Sequence, residues 1–229
     1  MARAQQELQE LCAAYRPALV HLLDNAVSPA LLRGLIERPP GAPWYGFARI
    51  DPQLADPDFC RALRRSGCVM LKLGLESGDQ AVLDRLHKGV DLGVTTAVLG
   101  SLQQAGIAVY AYLLFGTPAE DERAARRTLE FVVRHGTQIA FLNVALFNLP
   151  ADSAEAAHLP TAPFYGGDLS LYTGFRHPLG WERHRVRSFL HREFNRHPAV
   201  AAILRRDPPL FTSNHAALLA MAGQLQEGA

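Results

Sequence analysis

The chain has 229 residues, of which 48% are hydrophobic and 20% charged, enough for one globular α/β domain with an extension. A formal net charge of +1 argues against the broad basic surface that nucleic acids or anionic lipids require, so neither is expected as a partner. The sequence has no apolar run of roughly 18 residues and no secretory signal at its start, so we expect a cytoplasmic protein rather than a membrane protein.

Hydrophobic periodicity predicts one helix followed by strands and helices in alternation. Apolar side chains recur at helical spacing over 4–15, and residues 18–23 are typical of a short buried strand that ends at Asp24 and Asn25. Four further strands are predicted over 44–50, 68–75, 107–115 and 139–147, with helices over 28–38, 57–66, 79–86, 94–104 and 120–135. Such alternation indicates right-handed βαβ units and a parallel sheet, and five strands fit a partial TIM-like (β/α) barrel.

The pattern changes after Pro150, where a stretch rich in proline and glycine runs over 159–180. Helices are predicted beyond it over 181–195, 198–206 and 214–226. We therefore predict a partial barrel over 1–150 and a loop and helical C-terminal extension over 151–229 that packs on it.

Three cysteines, Cys12, Cys60 and Cys68, are an odd number at unrelated spacings, which predicts neither a disulfide framework nor a metal site. Their apolar neighbours are typical of small core residues. The chain has only two lysines against twenty-one arginines and much alanine, a composition that suggests a bacterium with GC-rich coding.

Functional groups of a parallel barrel gather at the carboxyl ends of its strands. Residues 71–78 alternate strictly, so Lys72, Gly74 and Glu76 are expected to face the barrel interior. A buried Glu76 carboxylate needs a cation, and Lys72 is the candidate partner. Three interpretations stay open: the two groups only neutralise each other, Glu76 serves a ligand, or Lys72 forms a Schiff base as in an aldolase.

Other strand ends carry further candidate groups. Gly116 begins a Gly-Thr-Pro turn, where the missing side chain would let a planar ring approach the backbone. Arg49 shares a strand face with Tyr45 and Phe47, and Asn143 lies on the equivalent face of the last strand. Each is compatible with a structural role, whereas their clustering at one rim indicates a site.

The longest motif is Leu-Gly-Leu-Glu-Ser-Gly-Asp-Gln-Ala-Val-Leu over 73–83, followed by Leu-His-Lys-Gly over 86–89. A second motif combines Ala-Gly-Ile over 105–107 with Phe-Gly-Thr-Pro-Ala-Glu over 115–120. These segments resemble the fourth and fifth strands of radical S-adenosylmethionine (radical SAM) enzymes, especially the branch often fused to a cobalamin-binding domain. The resemblance covers residues 5–148 and implies that the chain supplies strands two to six of a six-stranded barrel.

The resemblance also implies roles for individual residues. Glu76 and Ser77 would contact the ribose and amino group of S-adenosylmethionine (SAM), and Lys88 would lie near its carboxylate. The remaining implied contacts are the adenine border (Gly116, Pro118), the methionyl amine (Asp24, Asn25) and the substrate side of the cavity (Arg49, Asn143). No catalytic residue is implied.

Enzymes of this family hold a 4Fe-4S cluster through three cysteines spaced Cys-x-x-x-Cys-x-x-Cys, and this spacing does not occur in the chain. We expect the chain to begin in the helix that would follow that cysteine loop. Cys12, Cys60 and Cys68 are too far apart in sequence to replace it. Without the cluster, the chain alone is expected to be inactive in reductive cleavage of SAM.

Two functions remain as hypotheses at this point. The chain is either a fragment of a radical SAM enzyme, truncated or split, or a non-catalytic barrel that binds SAM or a partner protein. A missing first strand would leave the edge of the strand over 18–23 unpaired, which favours aggregation unless another chain covers it. An N-terminal half or a second copy is therefore the expected partner.

Overall fold

Five parallel strands form the main sheet of the computed structural model, which describes residues 2–163 and 171–206. They are β1 (Val20–Val27), β2 (Trp44–Ala48), β3 (Cys68–Glu76), β4 (Ala108–Phe115) and β5 (Phe141–Leu146), hydrogen-bonded in chain order. The expectation of an α/β fold with a parallel, partial-barrel sheet is confirmed. The helix predicted over 214–226 lies outside the described residues.

Six helices precede or connect these strands: α1 (Ala2–Tyr15), α2 (Pro29–Glu37), α3 (Pro57–Arg65), α4 (Gln80–Arg85), α5 (Leu92–Ala105) and α6 (Glu122–Arg134). The side chain before each helix from α2 to α6 accepts a hydrogen bond from a backbone N–H of the first turn; these caps are Ser28, Asp56, Asp79, Asp91 and Asp121. Such residues satisfy N–H groups that a helix leaves unpaired, so the helix starts follow from local sequence.

The first strand differs from its prediction. It continues to Val27, and Asp24 and Asn25 therefore lie within it and not after it. Leu22 pairs with Gly46 and Val27 pairs with Ala48, so an irregular segment over 23–26 bulges away from β2. The bulge leaves Asp24 and Asn25 exposed.

The two faces of the sheet have different environments. Leu71, Leu73 and Leu75 are buried in the main core, which also contains side chains of the helices. The opposite face, here called the inner face, has a separate cluster formed by Tyr45, Met70, Tyr110 and Phe141. The alternation of β3 therefore points Lys72 and Gly74 to the inner face, as expected.

The C-terminal extension contains more strand than its composition predicts. Three short strands, β6 (Leu149–Pro150), β7 (Thr161–Ala162) and β8 (Tyr172–Phe175), form an antiparallel sheet in the order β6-β8-β7. Beyond them lie α7 (Arg183–Phe189), a turn of π-helix (Leu190–Phe194) and α8 (Pro198–Leu204). Short pairings of this kind depend on contacts distant in sequence, which local patterns do not encode.

The extension shares the main core of the sheet. Trp181, Val186, Phe189 and Phe194 are buried in the same cluster as Phe115 at the end of β4. Phe115 packs edge-on against Phe194, with ring centroids 5.1 Å apart. Among the described residues, no helix combines the length and apolarity that crossing a membrane requires.

Candidate functional site

Glu76 ends β3 with a left-handed backbone, at φ 63°. Residues other than glycine rarely adopt this conformation, and it costs roughly 1–2 kcal/mol. Its carboxylate turns back over Gly74, where an added Cβ would lie only 3.1 Å from Oε1. The side chain is 21% exposed, and its Oε1 lies 3.7 Å from the Nζ atom of Lys88.

Lys72 is not the partner of Glu76, so the sequence-based pairing of these two residues is wrong. Lys72 lies four positions earlier on β3, about 13 Å deeper along an extended strand. Its ammonium lies over the rings of Tyr45 and Phe47, 5.2 and 5.1 Å from their centroids. The left-handed turn places the Glu76 carboxylate at the rim, the edge of the sheet formed by the carboxyl ends of the strands. Lys88, in the loop after α4, forms the ion pair with Glu76 there.

The turn after Glu76 is fixed to α6. The Ser77 hydroxyl is buried 3.2 Å from that of Thr128, and the backbone N–H of Gly78 donates to Thr128 Oγ1 at 2.9 Å. Any side chain at Gly78 would meet the Thr128 Cα at 2.7 Å, which explains the glycine. Asp79 caps α4 and forms an ion pair with Arg127. Sequence analysis did not identify Thr128 and Arg127, because both act across 48 or more residues.

The turn after β4 is covered by the extension. Gly116 has φ 79°, and an added Cβ would lie 3.3 Å from Cγ2 of Val186 on α7. The side chain that approaches this glycine in the structure is therefore Val186. Pro118 lies half-buried in the same turn, as does Gly116 itself. A cavity of about 80 Å³ borders Gly116 and is lined on its other sides by Phe147, Phe175 and Trp181, among others.

A buried carboxylate, Glu120, links this turn to the extension. Its Oε2 accepts hydrogen bonds from the Gly116 N–H at 2.5 Å and from the Trp181 indole N–H at 3.1 Å. In the described part of the chain its Oε1 has no hydrogen-bond partner. Burial raises the pKa of Glu120 to about 7, although the two donated bonds oppose the shift.

The other candidate residues lie at different distances from the carboxyl ends of the strands. Asn143 on β5 pairs in register with Tyr112, and Tyr112 pairs in register with Gly74. Arg49 lies just beyond the end of β2 and is exposed. Asp24 and Asn25 sit on β1, separated from β3 by β2, and no hydrogen bond or ion pair among the described residues joins them to Glu76.

The three cysteines do not fit an iron–sulfur cluster. Cys12, Cys60 and Cys68 are buried on α1, α3 and β3 respectively. The Cys60 thiol contacts the Leu54 carbonyl oxygen at 3.1 Å, and burial raises its pKa to about 11 and that of Cys68 further. Cluster irons require converging thiolates, whereas these three cysteines are buried in the core on separate elements. Within the described ranges, no three His, Cys, Asp or Glu side chains are grouped to hold a metal ion.

Comparison with known proteins relates this arrangement to one class of fold. The radical SAM methyltransferase TsrM from Kitasatospora setae, solved with tryptophan and the SAM analogue aza-SAM, superimposes on 96% of this chain with a TM-score of 0.63 and 17% identity. The same enzyme with cobalamin and a [4Fe-4S] cluster superimposes on 63% of the chain, with a TM-score of 0.53. The chain has the fold of radical SAM enzymes, which confirms the resemblance inferred from its motifs.

A curated protein also matches in sequence. It is the bacteriochlorophyllide d C-12(1)-methyltransferase of Chlorobaculum tepidum, 29% identical over 83 residues, or 36% of this chain. No family model matches the chain. The chain spans only 18% of the length of that methyltransferase and 28% and 52% of the two TsrM chains.

Proposed function

We propose that this chain is the SAM-binding part of a radical SAM enzyme. The observation that carries the proposal is the position of the Glu76 carboxylate. A strained, left-handed backbone holds it at the carboxyl end of β3, beside the Lys88 ammonium. Strained backbone persists where the surrounding structure imposes it, and such residues cluster at binding and catalytic sites. Here the anchored turn of Ser77 and Gly78 supplies that constraint.

The charges of Glu76 and Lys88 match those of an amino acid. The SAM molecule carries an ammonium and a carboxylate on one carbon atom, and a carboxylate beside an ammonium is the complementary pair. The Lys88 side chain is 44% exposed, so its ion pair with Glu76 contributes at most about 1 kcal/mol and a ligand displaces it at little cost. The same proposal assigns the ribose to Glu76 and Ser77, and the adenine to Gly116 and Pro118.

The outer contacts of the proposed site complete the assignment. Asp24 and Asn25 would serve the methionyl amine after a local rearrangement of the β1 bulge, and Arg49 and Asn143 would line the substrate side. A 4Fe-4S cluster supplies the electron that cleaves SAM in this chemistry. Because the three cysteines of this chain do not fit the cluster, we propose that its ligands come from another polypeptide segment.

Isothermal titration calorimetry with SAM tests the binding proposal. We expect saturable binding to the full chain, and about tenfold weaker binding for Glu76→Gln, which removes the charge and keeps the shape. Glu37→Gln is the matched control, since Glu37 is an exposed carboxylate at the end of α2. Equal affinity in both variants, or no binding to the wild-type chain, would contradict the proposal.

A non-catalytic SAM-binding module is the second candidate, favoured by the burial of the three cysteine thiols on separate elements. Anaerobic incubation with iron and sulfide, first of the chain alone and then together with candidate partners, separates the two candidates. The chain alone is the baseline. We expect no cluster by visible absorption or electron paramagnetic resonance. If a partner restores both the cluster and the formation of 5′-deoxyadenosine, the chain is part of an enzyme. If the chain binds SAM but no candidate partner restores activity, the chain is a non-catalytic binding module.

A further inference from the structure

Lys72 lies in an aromatic layer on the inner face of the sheet. Strand register places Phe47, Lys72, Tyr110 and Phe141 side by side across β2 to β5. The Lys72 ammonium lies over two of the neighbouring rings, and the residue is 3% exposed. Cation–π contacts recover part of the hydration that the ammonium loses, but they bring no negative charge.

The positive charge of Lys72 is uncompensated within the described part of the chain. No carboxylate there lies within ion-pairing distance of its Nζ atom, and Glu76 pairs with Lys88 instead. Burial lowers the pKa of Lys72, and burial together with the nearby charge of Lys72 lowers the pKa of His21. His21 stacks on Tyr45, with ring centroids 4.2 Å apart. An anion beside Lys72 would offset the effect of the Lys72 charge on His21.

The inner face is less covered directly above Lys72. Gly74 is the next residue of β3 on this face, in a layer with Tyr112 and Asn143, and all three are half-buried whereas Lys72 is buried. An added Cβ at Gly74 would lie 3.1 Å from Oε1 of Glu76, so the Glu76 carboxylate borders this layer on the side of the proposed SAM site. A ligand that reaches Lys72 would enter through this half-buried layer.

We propose that Lys72 binds the carboxylate of a planar aromatic ligand that enters through the half-buried layer around Gly74. The ammonium supplies one charge, which suits a monocarboxylate better than a phosphate dianion. The rings of Phe47 and Tyr112, whose centroids lie 4.9 Å apart, supply the faces and edges against which a planar ligand packs. This inference rests on the proposed function in one respect, because the ligand would be the substrate of the SAM-dependent reaction.

The scarcity of lysine makes the test specific. The variant Lys88→Arg keeps the charge beside Glu76 and leaves Lys72 as the only lysine, so labelling with [15Nζ]lysine gives one side-chain NMR signal. Titration with 1-naphthoate is expected to shift this signal and to raise the pKa of Lys72, because the carboxylate stabilises the ammonium. The neutral analogue 1-naphthamide is expected to bind about tenfold more weakly.

Calorimetry on Lys72 variants completes the experiment. Lys72→Met, which has similar volume and no charge, is expected to fold and to lose about tenfold in affinity for 1-naphthoate, whereas Lys72→Arg retains binding. Equal affinities for acid and amide, or an unperturbed Lys72 signal at saturating 1-naphthoate, would overturn the inference. Absence of 1-naphthoate binding would overturn it as well.

Titration of the same variants with SAM distinguishes failure of the Lys72 proposal from failure of the proposed SAM-binding function. SAM is expected to bind Lys72→Met with the affinity of the wild-type chain, because Lys72 lies deeper than Glu76 and Lys88. Loss of 1-naphthoate binding with intact SAM binding is the expected signature of the Lys72 site. SAM binding that fails in the wild-type chain while 1-naphthoate still reports on Lys72 would refute only the proposed function.

Discussion

Glu76 combines backbone strain with a charged side chain. The left-handed conformation of a residue with a Cβ costs free energy, and glycine adopts it without that cost. A glutamate at this position therefore lowers the stability of the fold while it places a carboxylate at the rim. Such an exchange of stability for function is common at binding sites.

The variant Glu76→Gly is expected to be more stable than the wild-type chain and unable to bind SAM. Relief of the left-handed strain stabilises the variant, and loss of the partly exposed ion pair with Lys88 destabilises it. The net result is expected to be a free energy of unfolding that is higher by about 0.5–1 kcal/mol. Urea denaturation followed by circular dichroism measures the change. Glu76→Ala is the control: it loses the same ion pair but keeps the strain, and is expected to be no more stable than wild type.

Lower stability of Glu76→Gly than of Glu76→Ala would contradict this account. In that case the left-handed conformation would cost less free energy than the additional backbone entropy that glycine loses on folding. The comparison of glycine with alanine isolates the backbone because neither side chain reaches Lys88.

At the level of elements, the extension is joined to the barrel through the turn after β4. Val186 packs on Gly116, Trp181 donates to Glu120, and His177 lies with Nε2 at 2.9 Å from the Thr117 carbonyl oxygen. The rim that is proposed to border adenine is therefore shaped by residues from both parts of the chain. A substitution in the extension should change the geometry of this rim.

Glu120 makes the stability of this junction depend on pH. Its pKa is about 7 in the folded chain and near 4.5 without burial, so the folded state binds the proton more tightly. Stability from this group is complete below about pH 4.5 and is lost as pH rises toward 7, by about 3 kcal/mol. Glu120→Gln, which resembles the protonated acid, is expected to be more stable than wild type at pH 8 and similar to it at pH 4.5.

Urea denaturation of both proteins from pH 4.5 to 8.5 measures this difference. Because the other titrating groups are shared, the difference between the two curves reports Glu120 alone. A difference that stays constant across this range would show that Glu120 is not protonated in the folded chain near neutral pH.

At the scale of the whole molecule, the parallel sheet formed by the described residues is open, and β1 lies at one edge of it. Leu23 in the bulge of β1 is 80% exposed, and Leu11 and Tyr15 on α1 are 54% and 77% exposed. An unpaired strand beside exposed apolar side chains is typical of a surface that pairs with another chain. We propose that another polypeptide covers this edge, and that a second copy does so when the chain is alone.

Light scattering after size-exclusion chromatography is expected to show dimers of the isolated chain. Leu23→Lys should shift the population to monomers, because a charge on an edge strand opposes pairing. Leu179→Lys is the matched control, since Leu179 is 48% exposed on the extension. A monomeric wild-type chain whose β1 amides are protected from hydrogen exchange would refute the proposal.

The helix starts and the alternation of the strands were predictable because they are local. A capping Ser or Asp satisfies N–H groups within its own first turn, and the period of two in residues 71–76 depends only on the pleat of one strand. The same local patterns placed Glu76 and Lys72 on the inner face, and the motifs around Glu76 and Gly116 indicated the fold.

Contacts between distant segments were not predictable. The sequence could not show that Glu76 pairs with Lys88 and not with Lys72, because that choice depends on a left-handed turn anchored by Thr128. It could not show that Val186 and Trp181 complete the turn at Gly116 and Glu120, because 61 residues separate Trp181 from Glu120. The sequence alone thus determined the order of elements and the face of each strand, whereas tertiary packing decided which charges meet and which stay unpaired.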